Sequence, residues 1–375
     1  MPQPNIPAAD FDLLDVPPAP AVHHAEQALL GALLLEPRLL KALGPLHPAD
    51  FASALHLAVF DAITSLTPPA PEVHAQQPVW LTAVLEHARP AARGLTAAYL
   101  HQVVSACPEP AHAPAYAAIV RAGHARRTLR ARAEHLVLTV GDPILEDQPT
   151  AALMTADKLT SVLDQLAARF PAHSSTLPRT PAPPHPVRDP DNEDMEDERV
   201  LLAALCASPH PSDAARWLQP ADFSEPLHGR LFHCMLTVGR RGDPVDPVTV
   251  LWEAQQQGLL SPSRPPAELL GMLVGGQAVA AEHWAELVLR RSMLARAHTT
   301  GLTVLAYAED DSNTIGQLLT GTRRALADLD AVRHRWQRAI DPIPARTTQR
   351  QTPISPRAGR PPPQVKPASA VRGIR

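Results

Sequence analysis

The apolar positions of this chain recur with helical spacing over most of its length. In residues 26–35, Leu29, Leu30, Leu33 and Leu34 fall on one stripe, which predicts an amphipathic helix. Similar patterns predict further helices over residues 53–66, 78–88, 96–106, 115–140, 150–170, 283–308 and 314–336. The pattern therefore indicates an all-α protein.

The same pattern occurs twice. Residues 47–60 and 219–232 share Pro-Ala-Asp-Phe, Leu-His and Phe at one constant spacing, which also superposes Leu29, Leu30 and Leu33 on equivalent leucines of the second segment. The period is far longer than that of a solenoid unit, so it indicates a duplicated domain. Ser53 and Ser224 are the matching residues expected to cap the second helix of each copy.

Each copy is predicted to end in a helical hairpin. A Gly-Asp-Pro break at residues 141–143 separates the helices of the first hairpin, and an acidic turn at residues 309–313 separates those of the second. A hairpin covers only one side of each helix, so leftover apolar surface should seek a partner. The candidate interface residues are Leu129, Leu136, Leu163, Leu166, Leu294, Leu319 and Leu326.

These features predict two tandem helical-bundle domains joined and flanked by segments without a core. Copy 1 spans residues 23–170 and copy 2 spans residues 196–336. A tail at residues 1–22, a Pro-rich and acidic linker at 171–195, and a basic Pro-rich tail at 337–375 are expected to be disordered. The linker is long enough for the copies to dock side by side, so we expect them to pair within one chain.

Composition narrows the function classes. Apolar residues make up 45% of the 375 positions and aromatic residues 4%, which predicts cores of Leu, Ala and Val. The net charge of −4 excludes a nucleic-acid-binding polycation. No membrane span or signal peptide is expected, and the three scattered cysteines are typical of reduced thiols in a cytoplasmic protein.

Candidate catalytic and metal-binding residues have structural interpretations. His56 and His228 are expected to satisfy a local hydrogen bond near a helix start, and Asp50 and Asp222 to cap or brace the preceding turn. His23 and His24 are expected at a solvated end before the first helix, and Cys206, His233 and Cys234 lack paired metal-ligand spacing. We therefore predict no catalytic residue, no cofactor and no metal.

Two groups of basic residues are candidates for binding anions. Five arginines on one predicted helix are expected to form a solvated face, and the alternative is that they bind phosphate or an acidic partner. They are Arg121, Arg126, Arg127, Arg130 and Arg132. The C-terminal tail has no acidic residue after position 341, and without aromatics it predicts non-specific nucleic-acid contact. Its candidate residues are Arg346, Arg350, Arg357, Arg360, Lys366, Arg372 and Arg375. The three prolines at 361–363 could equally form a docking peptide.

The repeated unit contains several short motifs in a fixed order. Residues 25–34 read Ala-Glu-Gln-Ala-Leu-Leu-Gly-Ala-Leu-Leu, followed by Asp50, Phe51, His56 and Phe60. Copy 2 carries Pro-Val-Asp-Pro-Val-Thr at residues 244–249, and copy 1 carries Tyr-Ala-Ala-Ile-Val-Arg at 116–121. In these motifs the unit resembles the N-terminal domain of DnaB-type replicative helicases, and the resemblance covers most of both copies.

The sequence departs from that family where a motor domain would follow. The motor's phosphate loop needs a Gly-Lys dipeptide, and none of the three lysines follows a glycine. We therefore predict that the protein is not an enzyme and hydrolyses no ATP.

The resemblance implies a non-enzymatic interaction and oligomerisation protein associated with DNA replication. In the family this domain pairs subunits and contacts a DnaG-type primase, so the expected partners are a replicative helicase or such a primase. Self-association is expected as a pseudo-dimer within the chain or as a homo-oligomer. The alternatives are an accessory fragment of a split helicase, and a DNA-binding protein that acts through its basic tail.

Overall fold

The computed structural model describes residues 19–76, 79–170, 177–183, 192–276 and 281–340. In these ranges the chain forms α-helices and short 3₁₀ helices, without a strand, so the all-α prediction is confirmed. The α-helices of the first half are α1 (Ala21–Leu35), α2 (Ala54–Ser65), α3 (Pro71–Gln76), α4 (Val79–Ala88), α5 (Ala97–Ser105), α6 (Ala113–Gly141) and α7 (Gln148–Arg169). Those of the second half are α8 (Asn192–Ala207), α9 (Pro211–Ala214), α10 (Pro226–Arg241), α11 (Pro247–Gln256), α12 (Pro266–Leu273), α13 (Ala281–Glu309) and α14 (Ile315–Ile340).

Helix α1 is the centre of the copy 1 core. Its residues from 25 to 34 are buried all round, because α2, α5 and α6 pack on different sides of it. Phe51 and Phe60 lie in the same core with ring centroids 4.8 Å apart and ring planes tilted by 36°. The apolar run of α1 is therefore the element around which copy 1 assembles.

Copy 2 repeats this arrangement with equivalent residues. In copy 2, helix α8 buries Leu201, Leu202 and Leu205 in the core of the domain. Phe223 and Phe232 stack with ring centroids 5.1 Å apart, matching the phenylalanine pair of copy 1. The sequence repeat is thus a repeat of packing.

The two hairpins, α6–α7 and α13–α14, pack against each other as a four-helix bundle. Their apolar stripes merge into one buried cluster that includes Leu129, Leu159 and Leu163 from copy 1 and Leu318 and Leu326 from copy 2. The helices α6 and α13 pack along each other across the seam between the copies. The copies are therefore paired within one chain.

A glycine permits the close approach of α6 and α13. A Cβ added at Gly301 would lie 2.6 Å from Val137 Cγ2 and 3.2 Å from the carbonyl oxygen of Ala133. Real Cβ atoms do not come that close to a neighbour, so a larger residue at this position would push the helices apart. Gly301 therefore fixes the spacing at the centre of the seam between the copies.

The hairpins run so that the tip of each meets the base of the other. Arg126, near the base of the first hairpin, donates to carbonyl oxygens of Ala308 and Asp310 at the tip of the second. At the opposite end, Pro149 in the first hairpin shares a cleft with His283 and Trp336 of the second. The two hairpins therefore lie antiparallel to each other.

Parts of the predicted linker and tails are helical or packed. Helix α8 already begins at Asn192, and α14 continues to Ile340, whereas the tail was expected from residue 337. Gln317 Nε2 donates to the carbonyl oxygen of Leu177 at 3.0 Å, and Arg179 N donates to Asn313 Oδ1 at 2.8 Å. Residues 177–183 of the predicted linker therefore lie against the tip of the second hairpin. Residues 1–18 and 341–375, where the rest of both predicted tails falls, lie outside the described residues.

The predicted serine caps are replaced by another arrangement. Ser53 occupies the N-cap position of α2, but its side chain makes no capping hydrogen bond. In copy 2 the N-cap of α10 is Glu225, whose carboxylate accepts from Leu227 N, and Pro226 occupies the first helical position as expected. Both serines donate their backbone N–H to a glutamate of an earlier helix, so a tertiary contact has replaced the local cap.

No helix in the described ranges combines the length and the apolar content needed to cross a bilayer.

Candidate functional site

Each copy buries a glutamate–histidine pair where its first two long helices meet. Glu26 Oε2 lies 2.7 Å from His56 Nδ1 in copy 1, and Glu198 Oε2 lies 2.8 Å from His228 Nδ1 in copy 2. All four side chains are buried. The partner of each histidine is thus 30 residues away along the chain, whereas a local hydrogen bond was expected from the sequence.

The glutamate also binds the backbone that precedes the second helix. Glu26 Oε1 accepts from Ala52 N at 2.7 Å, and Glu198 Oε1 accepts from Ser224 N at 2.6 Å and Ser224 Oγ at 2.7 Å. Burial raises the pKa of Glu26, but the hydrogen bonds from His56 and Ala52 outweigh it and leave the pKa below its ordinary value. The carboxylate is therefore ionised at neutral pH and braces the corner.

The repeated aspartates brace the turn before the same corner, as predicted. Asp50 Oδ2 accepts from His47 N at 2.9 Å, and Asp222 Oδ2 accepts from Gln219 N at 2.7 Å. Asp222 also accepts from Ser292 on α13 at 2.7 Å and binds Arg335 of α14, with Nη2 2.9 Å from Oδ1. These contacts tie the second hairpin to the core of copy 2.

Copy 1 carries two further side chains at its glutamate–histidine pair. Tyr99 Oη lies 2.7 Å from His56 Nε2, and the ring of His23 lies 4.8 Å from the ring of His56, centroid to centroid. Burial and the neighbouring His56 lower the pKa of His23, although Glu26 opposes this. The placement of His23 at a solvated end was wrong, because α1 begins at Ala21 and sets His23 one turn before Glu26.

The arginines of α6 are structural contacts and not a uniformly solvated face. Arg121 donates to Leu43 O at 2.9 Å, and Arg127 donates to Asp50 O at 2.6 Å. Arg126 binds three carbonyl groups at the tip of the second hairpin, including that of Asn313 at 2.5 Å. Arg130 pairs with Glu134 on its own helix, and Arg132 is exposed. Most of this run therefore holds the fold together.

The cysteines fit the expectation of core thiols. Cys234 is buried, and Cys107 and Cys206 are half-buried, with all three free. Burial raises the pKa of Cys206 to about 12 and that of Cys234 to about 11. Both thiols therefore stay protonated at neutral pH, which disfavours nucleophilic or metal-binding roles.

Comparison with known proteins identifies the repeated unit. The sequence model of the "DnaB-like helicase N terminal domain" family matches residues 18–122 and 190–290. The two matches together cover more than half of the chain. The chain belongs to the DnaB-like helicase N-terminal domain family.

Curated relatives are replicative helicases of greater length. The chain is 27% identical over 139 residues to the replicative DNA helicase DnaC of Bacillus subtilis (strain 168), covering 36% of this chain and 31% of the helicase. It is 29% identical over 150 residues to the replicative DNA helicase DnaB of Geobacillus stearothermophilus, covering 38% and 32%. The chain thus spans about a third of the length of these relatives. No solved structure gives a significant match.

Within this DnaB-like pair, the predicted interface leucines lie at the seam between the copies. Six of them are buried in the shared cluster of the four-helix bundle, and Leu294 is half-buried where that bundle meets the core of copy 2. The buried ones are Leu129, Leu136, Leu163, Leu166, Leu319 and Leu326. They are buried in this cluster, so they are not exposed to an outside partner. The candidate nucleic-acid residues from Arg346 to Arg375 fall outside the described residues.

An exposed apolar surface on the second DnaB-like domain was missed by the sequence analysis. Val248 and Trp252 lie one turn apart on α11 and are 68% and 59% exposed. The equivalent helix of copy 1 is α4, whose buried Trp80 and Val84 correspond to the buried Val250 and Ala254 of α11. By this correspondence, the copy 1 residue at the position of Trp252 is Thr82, which is also exposed. The spacing of Val248 and Trp252 on one helix face was the signal available in the sequence. We call these two residues the α11 patch.

Proposed function

We propose that this protein is a non-enzymatic adaptor of DNA replication that binds a replicative helicase or a DnaG-type primase. The observation that carries the proposal is the pairing of both hairpins inside one chain. The apolar stripes of the two hairpins are buried against each other. An outside partner is therefore expected to bind the globular domains and not the hairpins. The chain presents two DnaB-like domains in a fixed relation.

The buried polar groups support a structural role for both cores. The Glu26–His56 and Glu198–His228 pairs hold the first helix of each copy against the second. The acidic side chain of Asp222 is held by backbone, serine and arginine contacts at once. These fixed contacts support a bracing role for both corners.

The α11 patch is the surface that we assign to the partner. An exposed tryptophan beside an exposed valine is costly to leave in water, and aromatic anchors of this kind dominate many protein interfaces. Copy 1 has Thr82 at the matching position. The adaptor is therefore asymmetric and offers this contact through copy 2.

Binding of the full chain to purified helicase and primase from the same cell tests the proposal. Biolayer interferometry should give saturable binding to one of the two proteins. Trp252→Thr, which copies the residue of copy 1, should weaken that binding about tenfold or more, as expected when a central aromatic anchor is lost. Ile144→Ser, at another exposed apolar side chain, should have no effect. Failure of both proteins to bind would refute the adaptor role, and equal binding by Trp252→Thr would refute the α11 patch.

The basic tail supports a second function, which is non-specific DNA binding. Residues 342–375 contain seven basic side chains and no acidic one. Phosphate contacts release counterions, so the affinity of the full chain for duplex DNA should fall steeply as salt rises. A variant that ends at Ile340 should lose this binding. Unchanged binding by the shortened chain would exclude the tail as the site.

A further inference from the structure

The donor atoms of three side chains converge at the start of α1 in copy 1. His23 and Glu26 lie one turn apart on α1, and His56 faces them from α2. One ligand atom from each residue lies within 4.8 Å of the other two. Glu26 and His56 are fully buried, and His23 is half-buried at the edge. The cluster thus has an enclosed side and a side that is open to solvent.

We propose that His23, Glu26 and His56 form a zinc-binding site. Two imidazole nitrogens and one carboxylate oxygen are donors that zinc accepts in protein sites with three protein ligands, and water fills the fourth position. Imidazole donors favour zinc over magnesium or calcium, which prefer all-oxygen sites. The site would tie the first turn of α1 to α2.

The hydrogen bond between Glu26 and His56 marks the position of the ion. Nδ1 and Oε2 are 2.7 Å apart and share one proton. Two ligand atoms that each bind zinc at about 2.0–2.1 Å lie roughly 3.3 Å apart. Replacing the shared proton by zinc therefore requires this gap to widen by only a fraction of an ångström. His23 supplies the third donor, since one of its ring nitrogens lies within 4.8 Å of the other two ligand atoms.

The surroundings of the cluster suit the orientation of its ligands. With zinc on Nδ1, His56 would carry its proton on Nε2 and donate it to Tyr99 Oη, 2.7 Å away. Glu26 Oε1 accepts from Ala52 N at 2.7 Å, and Oε2 accepts from Ser53 N at 3.5 Å besides its bond to His56, so Oε2 is the oxygen that would bind the ion. The Nη1 atom of Arg127 lies 4.0 Å from Oε1. Each of the two buried ligands thus has a second partner that fixes its direction.

Copy 2 provides an internal control for this site. Glu198 and His228 form the same pair at 2.8 Å. The residue that matches His23 is Met195, which is half-buried as well. Copy 2 therefore lacks the third ligand, and only copy 1 should bind zinc.

Zinc titration of the full chain by calorimetry tests the site. The wild-type protein should bind one equivalent saturably, and zinc should raise its melting temperature, since a ligand that binds the folded state stabilises it. His23→Met should weaken binding by about tenfold or more, because even outer partners of a metal ligand contribute 10–100-fold. His24→Met changes the exposed neighbour and should bind as the wild type does. Met195→His should create a second equivalent in copy 2.

The decisive comparison is wild type against His23→Met, with circular dichroism to show that the variant is folded. His23→Gln serves as a second variant at the same position, which is half-buried and outside the apolar core. Absence of saturable zinc binding by the wild type would overturn the site. Equal binding by the wild type and both His23 variants would also overturn it, because the other histidines would then be the ligands.

Discussion

Arg333 of α14 binds both carboxylate oxygens of Asp157 on α7, 176 residues earlier in the chain. This ion pair joins the last helix of copy 2 to the last helix of copy 1. Both side chains are partly in water, at 24% and 53% exposed. Exposed ion pairs contribute about 0–1 kcal/mol. The stability of the seam must therefore come from buried contacts.

The first prediction compares two arginines of the seam. Arg333→Ala should lower the free energy of unfolding by less than about 1 kcal/mol. Arg126→Ala should lower it by about 2–3 kcal/mol, because three carbonyl groups lose a charged donor, two of them on the buried residues Ala308 and Asn313. Urea denaturation measures the free energy of unfolding of both variants, with Arg132→Ala as an exposed control on α6, the helix of Arg126. Equal losses at Arg126 and Arg132 would show that the tip contacts contribute nothing.

The second prediction concerns the leucines of the bundle. Leu163→Ala should cost about 2–5 kcal/mol, as for other buried leucines, whereas Leu138→Ala should stay within about 0.5 kcal/mol. The two residues are 2% and 70% exposed. Replacing Leu163 and Leu166 together by Asp should separate the hairpins while the cores around α1 and α8 stay helical. Size-exclusion chromatography with circular dichroism checks this, and an unchanged elution volume would contradict it.

The third prediction uses the glycine at the crossing of α6 and α13. Gly301→Val should force these helices apart, because even a Cβ meets Val137 at 2.6 Å. Gly271→Ala in α12 is the control, since nothing lies within 4 Å of its added Cβ. Small-angle scattering should show a larger radius of gyration for Gly301→Val alone. An unchanged radius of gyration would mean that the side chain of Val137 moves aside and that Gly301 does not set the helix spacing.

The fourth prediction concerns acid. Hydrogen bonds from Ser312 and Thr180 lower the pKa of Asp310 from 3.8 to about 2. A lowered pKa means that the ionised group stabilises the fold above its ordinary pKa and that this contribution is lost as pH falls through about 2. Asp310→Asn should therefore flatten the loss of stability between about pH 4 and 2, as measured by urea denaturation at each pH. Asp311→Asn, at 94% exposed, should leave the slope as in the wild type.

Helices and the duplication could be predicted from the sequence because both depend on short-range patterns. The leucine stripe of α1 has helical spacing, and the matched Asp50 and Asp222 indicated a braced turn that the structure confirms. Even the pairing of hairpins was predictable in kind, since a one-sided stripe such as that of Leu129 and Leu136 needs cover.

The partners of polar side chains could not be predicted, since they lie far away along the chain. Glu26 reaches His56 across 30 residues, and Arg126 reaches Asn313 across 187. Ser53 has the residue type of a cap, but a tertiary hydrogen bond to Glu26 uses its backbone instead. The position of His23 was predicted wrongly, because the prolines and alanines before α1 do not mark where the helix starts. The helix begins about one turn earlier than predicted, and this turn brings His23 next to His56.

Because both domains lie in one chain, their pairing does not depend on protein concentration. Two separate domains dissociate when they are diluted, and their pairing competes with every similar hairpin in the cell. In this chain the two domains, which contact each other at Gly301 and Val137, pair in a unimolecular step. The ratio of the two domains is always one to one, whatever the expression level. Any assembly that takes up this chain receives its two domains together or not at all.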